Sequence, residues 1–245
     1  MTLLPELPIQ RLRFYLTAPY PCSYLPGCEA RSQVATPGHL IDDALYSELC
    51  QQGFRRSGHY VYRPRCDQCE ACVPARLRVE GFAPRRSQRR AWVRNQDLVV
   101  RLRHLEFDPR HYDLYRRYQQ ARHAGGGMDL DDQEQYRAFL LTSQLDSALL
   151  EFSLDGHVVL VSLVDRLSDG ISAVYAFYDP ELERRSLGVY NVLSLIELCR
   201  TLSLPYLYLG YWIAESPKMA YKSHSQPLEL FRAGAWLPYS RPETD

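Results

Sequence analysis

Ile171-Ser-Ala-Val-Tyr-Ala-Phe-Tyr178, continued by Asp179-Pro180 and then by Arg184-Arg185-Ser-Leu-Gly188-Val-Tyr190, is the stretch that decides the fold. Its β-branched and aromatic residues predict a strand over 171–177, and Asp-Pro predicts a turn. The spacing of Val189, Val192, Leu193, Ile196 and Cys199 predicts a helix up to Leu202. A strand that enters a helix through a basic, Gly-containing loop leaves the first backbone N–H groups of that helix unpaired. The helix dipole adds to their pull on an anion, so the loop with Arg185 and Gly188 suits a phosphate. Pro205 to Ile213 is the next strand, and the intervening helix is a β-α-β crossover, which makes this strand parallel to 171–177.

Upstream, Ala148–Leu154 and His157–Val164 read as strands, with Asp155-Gly156 and Ser168-Asp169-Gly170 as hairpin turns. Before them come a strand over Leu98–Leu105 and two helical segments, Pro109–Arg122 and Asp131–Thr142, around Gly125-Gly-Gly127. This order resembles that of the GNAT acyltransferases, which implies a coenzyme A phosphate site with an Arg-x-x-Gly-x-Gly/Ala pattern. Arg185 and Gly188 keep the first part of that pattern, and Tyr190 stands where the second small residue belongs, which argues against coenzyme A.

The N-terminal stretch to about Leu40 is rich in Pro and turn residues and reads as irregular. A helix follows over Asp42–Gln52, with Asp42 or Asp43 as N-cap and Gly53 as its stop. Cys66-x-x-Cys69-x-x-Cys72 then lies between two short strands, His59–Tyr62 and Ala75–Val79. The expected class is α+β: a small cysteine-containing domain over residues 1–95, with the cysteines as a knuckle, followed by a GNAT-like domain over 96–245.

The zero net charge hides a split. From Arg55 to Arg103 there are 13 Arg against 4 acids, and from His104 to Arg185 there are 8 Arg against 15 acids. A basic block beside an acidic one suggests a polyanion docking on one region. All but 2 of the 29 basic residues are Arg, and the two lysines, Lys218 and Lys222, stand four apart. In a helix that spacing puts both ammonium groups on one face. No run approaches the ~20 apolar residues of a membrane helix, and no early segment has signal-peptide flanks, so the cytoplasm is the expected compartment. Seven cysteines, an odd number with three crowded between Cys66 and Cys72, suggest metal ligation in a reducing compartment more than a disulfide framework. Cys50 and Cys199 lie on apolar helix faces and read as core.

Several segments jointly resemble the aminoacyl-tRNA–protein transferases, and within them the bacterial aspartate/glutamate leucyltransferase branch. They are Cys22-Ser-Tyr24, Gly53-Phe-Arg-Arg-Ser-Gly58, Tyr62-Arg-Pro64, the three-cysteine run, Arg86-Ser-Gln-Arg89-Arg90, Phe177-Tyr-Asp-Pro180, Arg185-Ser-Leu-Gly188, Tyr206 to Ile213 and Lys218-Met-Ala-Tyr-Lys222. The resemblance implies transfer of leucine from Leu-tRNA to the N-terminal amine of proteins that begin with Asp or Glu, marking them for N-degron degradation. Transfer of arginine is the runner-up. A coenzyme A-dependent N-acetyltransferase and a non-enzymatic RNA-binding protein are the alternatives from other classes.

Ester aminolysis needs an oriented amine, a donor for the developing oxyanion and a proton for the leaving ribose oxygen. Tyr178, Tyr221 and Ser186 are candidate donors, and Asp179 is a candidate acceptor from the incoming ammonium or an Asx-type turn former. Lys218, Lys222, Arg55 and Arg56 are candidates for the acidic side chain of the acceptor, since a buried carboxylate needs a paired cation. Arg85, Arg86, Arg89 and Arg90 are candidates for the tRNA backbone, together with Arg185 and Gly188, and Trp92 either stacks on a base or fills the core. No cofactor is required for the transfer. By resemblance to arginyltransferases, Cys22, Cys66, Cys69 and Cys72 are candidate ligands of an Fe–S cluster or Zn, with Cys28 as an alternative fourth.

Overall fold

The structure is a computed structural model that describes residues 12–122 and 132–240. A four-stranded sheet of order β1-β4-β6-β5 packs beside an eight-stranded sheet of order β14-β13-β7-β12-β11-β10-β9-β8. The smaller sheet comprises β1 (Arg13–Leu16), β4 (Ser32–Thr36), β5 (Arg55–Ser57) and β6 (Tyr60–Pro64). A two-stranded ribbon, β2 (Tyr20–Pro21) with β3 (Glu29–Ala30), stands apart. The N-terminal stretch is thus more regular than its Pro-rich composition suggested, because β1 and β4 gain their hydrogen bonds from distant partners.

Helix α1 (Asp43–Gln51) begins where Asp42 accepts from Leu45 N–H at 2.9 Å, which makes Asp42 the cap of the two candidates, Asp42 and Asp43. Its apolar face, Leu45, Tyr46, Leu49 and Cys50, joins Ile41, Phe54 and Val61 in a core of its own. Gly58, at φ 56°, closes the β5–β6 hairpin; a Cβ there would stand 2.5 Å from the Ala138 carbonyl. Only glycine allows the hairpin to lie directly on the turn of residues 137–141.

The large sheet holds β7 (Val73–Arg78), β8 (Val99–Arg103), β9 (Ser147–Leu154), β10 (His157–Arg166), β11 (Gly170–Tyr178), β12 (Tyr206–Trp212), β13 (Leu228–Arg232) and β14 (Ala235–Pro238). Every pairing in it is antiparallel except β11 with β12, the crossover pair expected from the sequence. α5 (Leu187–Thr201) covers one face and buries Leu187, Leu193, Leu195 and Ile196. α3 (Pro109–Arg122) covers the other, with Leu114 and Tyr115 against Leu163 and Phe177. α4 (Gln133–Tyr136) continues directly into a π turn over Arg137–Leu141, and together they form the second helical segment expected there; Gly125–Gly127 lie outside the described residues.

The strand pairing crosses residue 95. β7 pairs with β12 and β13 in the large sheet, and α2 (Arg86–Arg94) lies against α5. The two strands that flank the cysteines therefore belong to different sheets. Val73, Ala75 and Leu77 face the large core at every second position, which draws β7 into that sheet. Among the described residues no helix is long and apolar enough to cross a membrane.

Candidate active-site cleft

β11 and β12 run together for three residues, Gly170 opposite Tyr206 to Ser172 opposite Tyr208, and then part. Irregularities on both strands accompany the parting. β11 slips against β10 opposite Leu163/Val164, and β12 slips against β7 between Tyr208 and Gly210. Such slips re-aim a strand next to a site. The resulting fork is filled at its apex by Arg55, which β5 delivers from the smaller sheet. Its Nη1 donates to Ser172 Oγ at 2.9 Å and to the Tyr208 carbonyl at 3.5 Å, and its Nη2 donates to the Ala173 carbonyl. Gly210, at φ 76°, leaves room for it: a Cβ there would lie 3.6 Å from Arg55 Nε.

Lys222 lies near this apex, on the Tyr221–His224 3₁₀ turn that follows α6 (Pro217–Ala220). Its ammonium donates to the Tyr211 carbonyl at 2.5 Å and faces Met219 Sδ at 3.6 Å. Burial, and then the positive charge of Arg55, lower its pKa to about 7. Arg55 and Lys222 are 8% and 7% exposed, and neither has a carboxylate partner among the described residues. The side chain of Lys218 lies outside the described part.

At the mouth of the fork, Tyr178 ends β11 against the first turn of α5. A Cβ on Gly188 would stand 3.4 Å from its ring. Tyr118, from α3, meets Tyr178 edge-on at 4.9 Å. Burial and then the Tyr178 phenol push the Tyr118 hydroxyl well above its usual range. Tyr221 is shifted up by the same two causes, although nearly half its surface is open, so the packing around its hydroxyl is local. Both hydroxyls are proton donors at neutral pH.

Other expected site residues are committed elsewhere. Arg56 forms a buried two-toothed ion pair with Asp165, Nε to Oδ2 at 2.7 Å and Nη2 to Oδ1 at 2.5 Å, and is closed to a ligand. Successive residues of a strand point to opposite sides, so Arg55 and Arg56 had to differ. Asp179 accepts from Glu181 N–H at 3.0 Å and pairs with Arg117 at 3.1 Å; its carboxylate forms the turn rather than standing free. Arg185 is clamped on Asp97 through two 2.8 Å bonds, and Asn95 Nδ2 donates to the Arg185 carbonyl at 2.8 Å, which hooks α2 to the loop before α5. Ser186, at φ 55°, is exposed and begins α5 without a side-chain cap bond. Tyr190 is core, 5.4 Å from Trp92 and 5.9 Å from Phe152, so it does not block the loop; Trp92 likewise fills the core.

Arg85, Arg86, Arg89 and Arg90 are exposed along α2, on the flank that α2 shares with the α5 loop. Cys22, Cys28, Cys66, Cys69 and Cys72 line one open cavity of about 630 Å³, with Tyr24, Tyr62 and Tyr211. Burial, then Cys22, Cys66 and Cys69, push the Cys72 thiol up to about 12. Yet no three of these sulfurs lie within 4.8 Å of one another, whereas Zn–S bonds of about 2.3 Å place tetrahedral thiolates about 3.8 Å apart. The donor set suits zinc or an Fe–S cluster, but its present arrangement does not fit around one ion. Asp108, His111 and Glu151 do converge to that limit, but Arg110 lies at 2.5 Å from Asp108 and Arg103 at 3.6 Å from Glu151, so their charge is already met.

The family model described as arginine-tRNA-protein transferase, N terminus, matches residues 20–90, and its C-terminus counterpart matches residues 110–232. The chain belongs to the arginine-tRNA-protein transferase family. Within this family it is 58% identical to an aspartate/glutamate leucyltransferase of Chromobacterium violaceum, over 93% of this chain and 94% of that one. It is 58% identical to that of Thiobacillus denitrificans, over 94% and 96%, and 56% identical to that of Nitrosospira multiformis, over 96% and 94%. Among solved structures, L-PGS from Bacillus licheniformis matches at a TM-score of 0.45 and 12% identity, over 59% of this chain and 48% of that one. Of the residues that build this transferase-family cleft, Ser172, Tyr118 and Arg117 were not singled out from the sequence. Only the i,i+4 pairing of Asp113 with Arg117 hinted that Arg117 has electrostatic work to do.

Proposed function

We propose that this chain transfers leucine from leucyl-tRNA to the N-terminal amine of proteins that begin with Asp or Glu, on a GNAT-like framework. The names of its relatives support the reaction class. The observation that carries the reading is the pair of buried cations, Arg55 and Lys222, whose bonding partners are neutral. A buried guanidinium beside an amine that burial leaves only partly charged near neutrality is costly without a counterion and invites an anion. A short acidic side chain beside an N-terminal amine would bring one.

In the transfer, the α-amine attacks the ester carbonyl carbon, an amide bond forms, and the bond to the ribose oxygen breaks. One proton leaves the amine and one reaches the ribose oxygen, so a single proton must move. The free α-amine has a pKa of about 7.7–8.0 and is already a nucleophile near neutrality, which is why positioning suffices. Tyr178 and Tyr221, both at the mouth, are the donors to the carbonyl oxygen or the leaving oxygen, and Ser186 with the first N–H groups of α5 would meet the terminal phosphates. Arg85, Arg86, Arg89 and Arg90 would carry the acceptor stem along α2. Cys22, Cys66, Cys69 and Cys72 are the residues that would hold a zinc ion or Fe–S cluster, and for a single zinc ion they would have to converge. We place the reaction in the cytoplasm, where charged tRNA is found.

Incubation with leucyl-tRNA and peptides that begin with Asp, Glu, Asn or Gln tests the reading by mass spectrometry. Extension of the two acidic peptides alone, lost together with their preference in Arg55→Met, is the expected result. Equal extension of Asn- and Asp-initiated peptides would refute the role given to the cation pair.

A further inference from the structure

The end of β11 carries a carboxylate, Asp179, directly after Tyr178. Arg117 reaches it from α3 at 3.1 Å while also meeting Asp113 at 3.2 Å. Asp179 is largely buried, with its side chain 16% exposed. The other carboxylate close to the fork, Asp165, is fully occupied by Arg56. Among the described residues of this end, Glu181, Glu183 and Glu215 are exposed and screened by water.

A cationic side chain on the incoming amino acid would lose its hydration in the cleft and would need a carboxylate there. A leucyl side chain needs only an apolar wall, which Tyr118 and Tyr178 provide. We propose that Arg117 is a specificity-determining residue that holds Asp179 neutralised and so closes the aminoacyl end of the cleft to arginyl and lysyl groups. This rests on the assignment of the cleft mouth to the aminoacyl group. Selection here is by denial: the acid that a cationic group would use is present, and the protein's own arginine is on it.

The test uses one tRNA body charged with leucine, arginine or glutamate, so that tRNA identity is constant, with an Asp-initiated peptide as acceptor. In Arg117→Gln the ratio of arginyl to leucyl transfer should rise at least ~10-fold, with leucyl transfer kept within about threefold of the parent. Asp179→Asn, which can still accept from Glu181 N–H, leaves Arg117 with only the exposed Asp113 as its carboxylate partner and should raise glutamyl over leucyl transfer instead. The double variant should return both ratios toward the parent values. An unchanged arginyl ratio in a folded Arg117→Gln protein overturns the proposal. If circular dichroism shows that variant unfolded, an unchanged glutamyl ratio in Asp179→Asn overturns it equally. Failure of the parent protein to transfer leucine at all would instead refute the reading of the cleft.

Discussion

Arg56 and Asp165 face each other with two parallel bonds, at 2.7 and 2.5 Å, and this pair joins β5 of the smaller sheet to β10 of the larger. Ser147 adds a bond to each partner, from Arg56 at 3.2 Å and to Asp165 at 2.7 Å. The neighbouring Arg55 is thereby held at the fork of β11 and β12, with no carboxylate partner among the described residues.

Loss of one member of the pair leaves the other charged and buried. Asp165→Ala should cost ~3–5 kcal/mol in urea unfolding, while the apolar replacement of both partners should cost much less. A loss below ~1 kcal/mol for Asp165→Ala would show that the two sheets are held elsewhere.

Lys222 gives stability a pH dependence of known sign. Its folded pKa, about 7, lies below the ordinary 10.5, so between these values the unfolded chain binds more protons and stability rises with pH. Below about 7 both states are charged and the full penalty applies. Lys222→Met should therefore exceed the parent in melting temperature most clearly at pH 6, with the advantage shrinking as the pH rises toward 10. A constant advantage at all pH values would mean that the ammonium is not the cause.

Acidic acceptors should bind with proton uptake. A carboxylate placed beside Lys222 restores its charge, so above pH 7 each binding event draws in up to one proton. Calorimetry in buffers of different ionisation enthalpy, at pH 8, reads this directly. Zero uptake for an Asp-initiated peptide would separate Lys222 from the acceptor.

The exposed arginines of α2 should set the salt dependence of tRNA binding. Arg86→Glu, Arg89→Glu and Arg90→Glu together should weaken binding and reduce the slope of log K against log salt by as much as ~2–3. An unaltered slope would place the tRNA on another face.

Local patterns were legible because they need only neighbours. The period of α3 and α5, the capping of α1 at Asp42 or Asp43, the Asp155-Gly156 hairpin and the parallel crossover of β12 all followed from residues close in sequence. α2 went unread as a helix: its run of arginines signals charge more loudly than period, and its buried face is mainly Gln88 and Ala91. β13, β14 and the strands β1, β4 and β5 of the smaller sheet went unread as well; β1, β4 and β13 take their ladder partners from far along the chain.

The candidate residues divide along the same line. Sequence alone could name the chemistry, cations for an acidic acceptor, hydroxyl donors, a basic surface for tRNA, because side-chain type determines what a group can do. Which cation is free is a matter of pairing across more than a hundred residues. Arg55 and Arg56 are adjacent and chemically identical, yet one stands at a fork lined with carbonyls and the other is locked on Asp165. In the same way Asp179 became a partner of Arg117 and Arg185 a partner of Asp97. Tertiary packing decided these assignments, because a buried charge takes the partner that the fold brings to it.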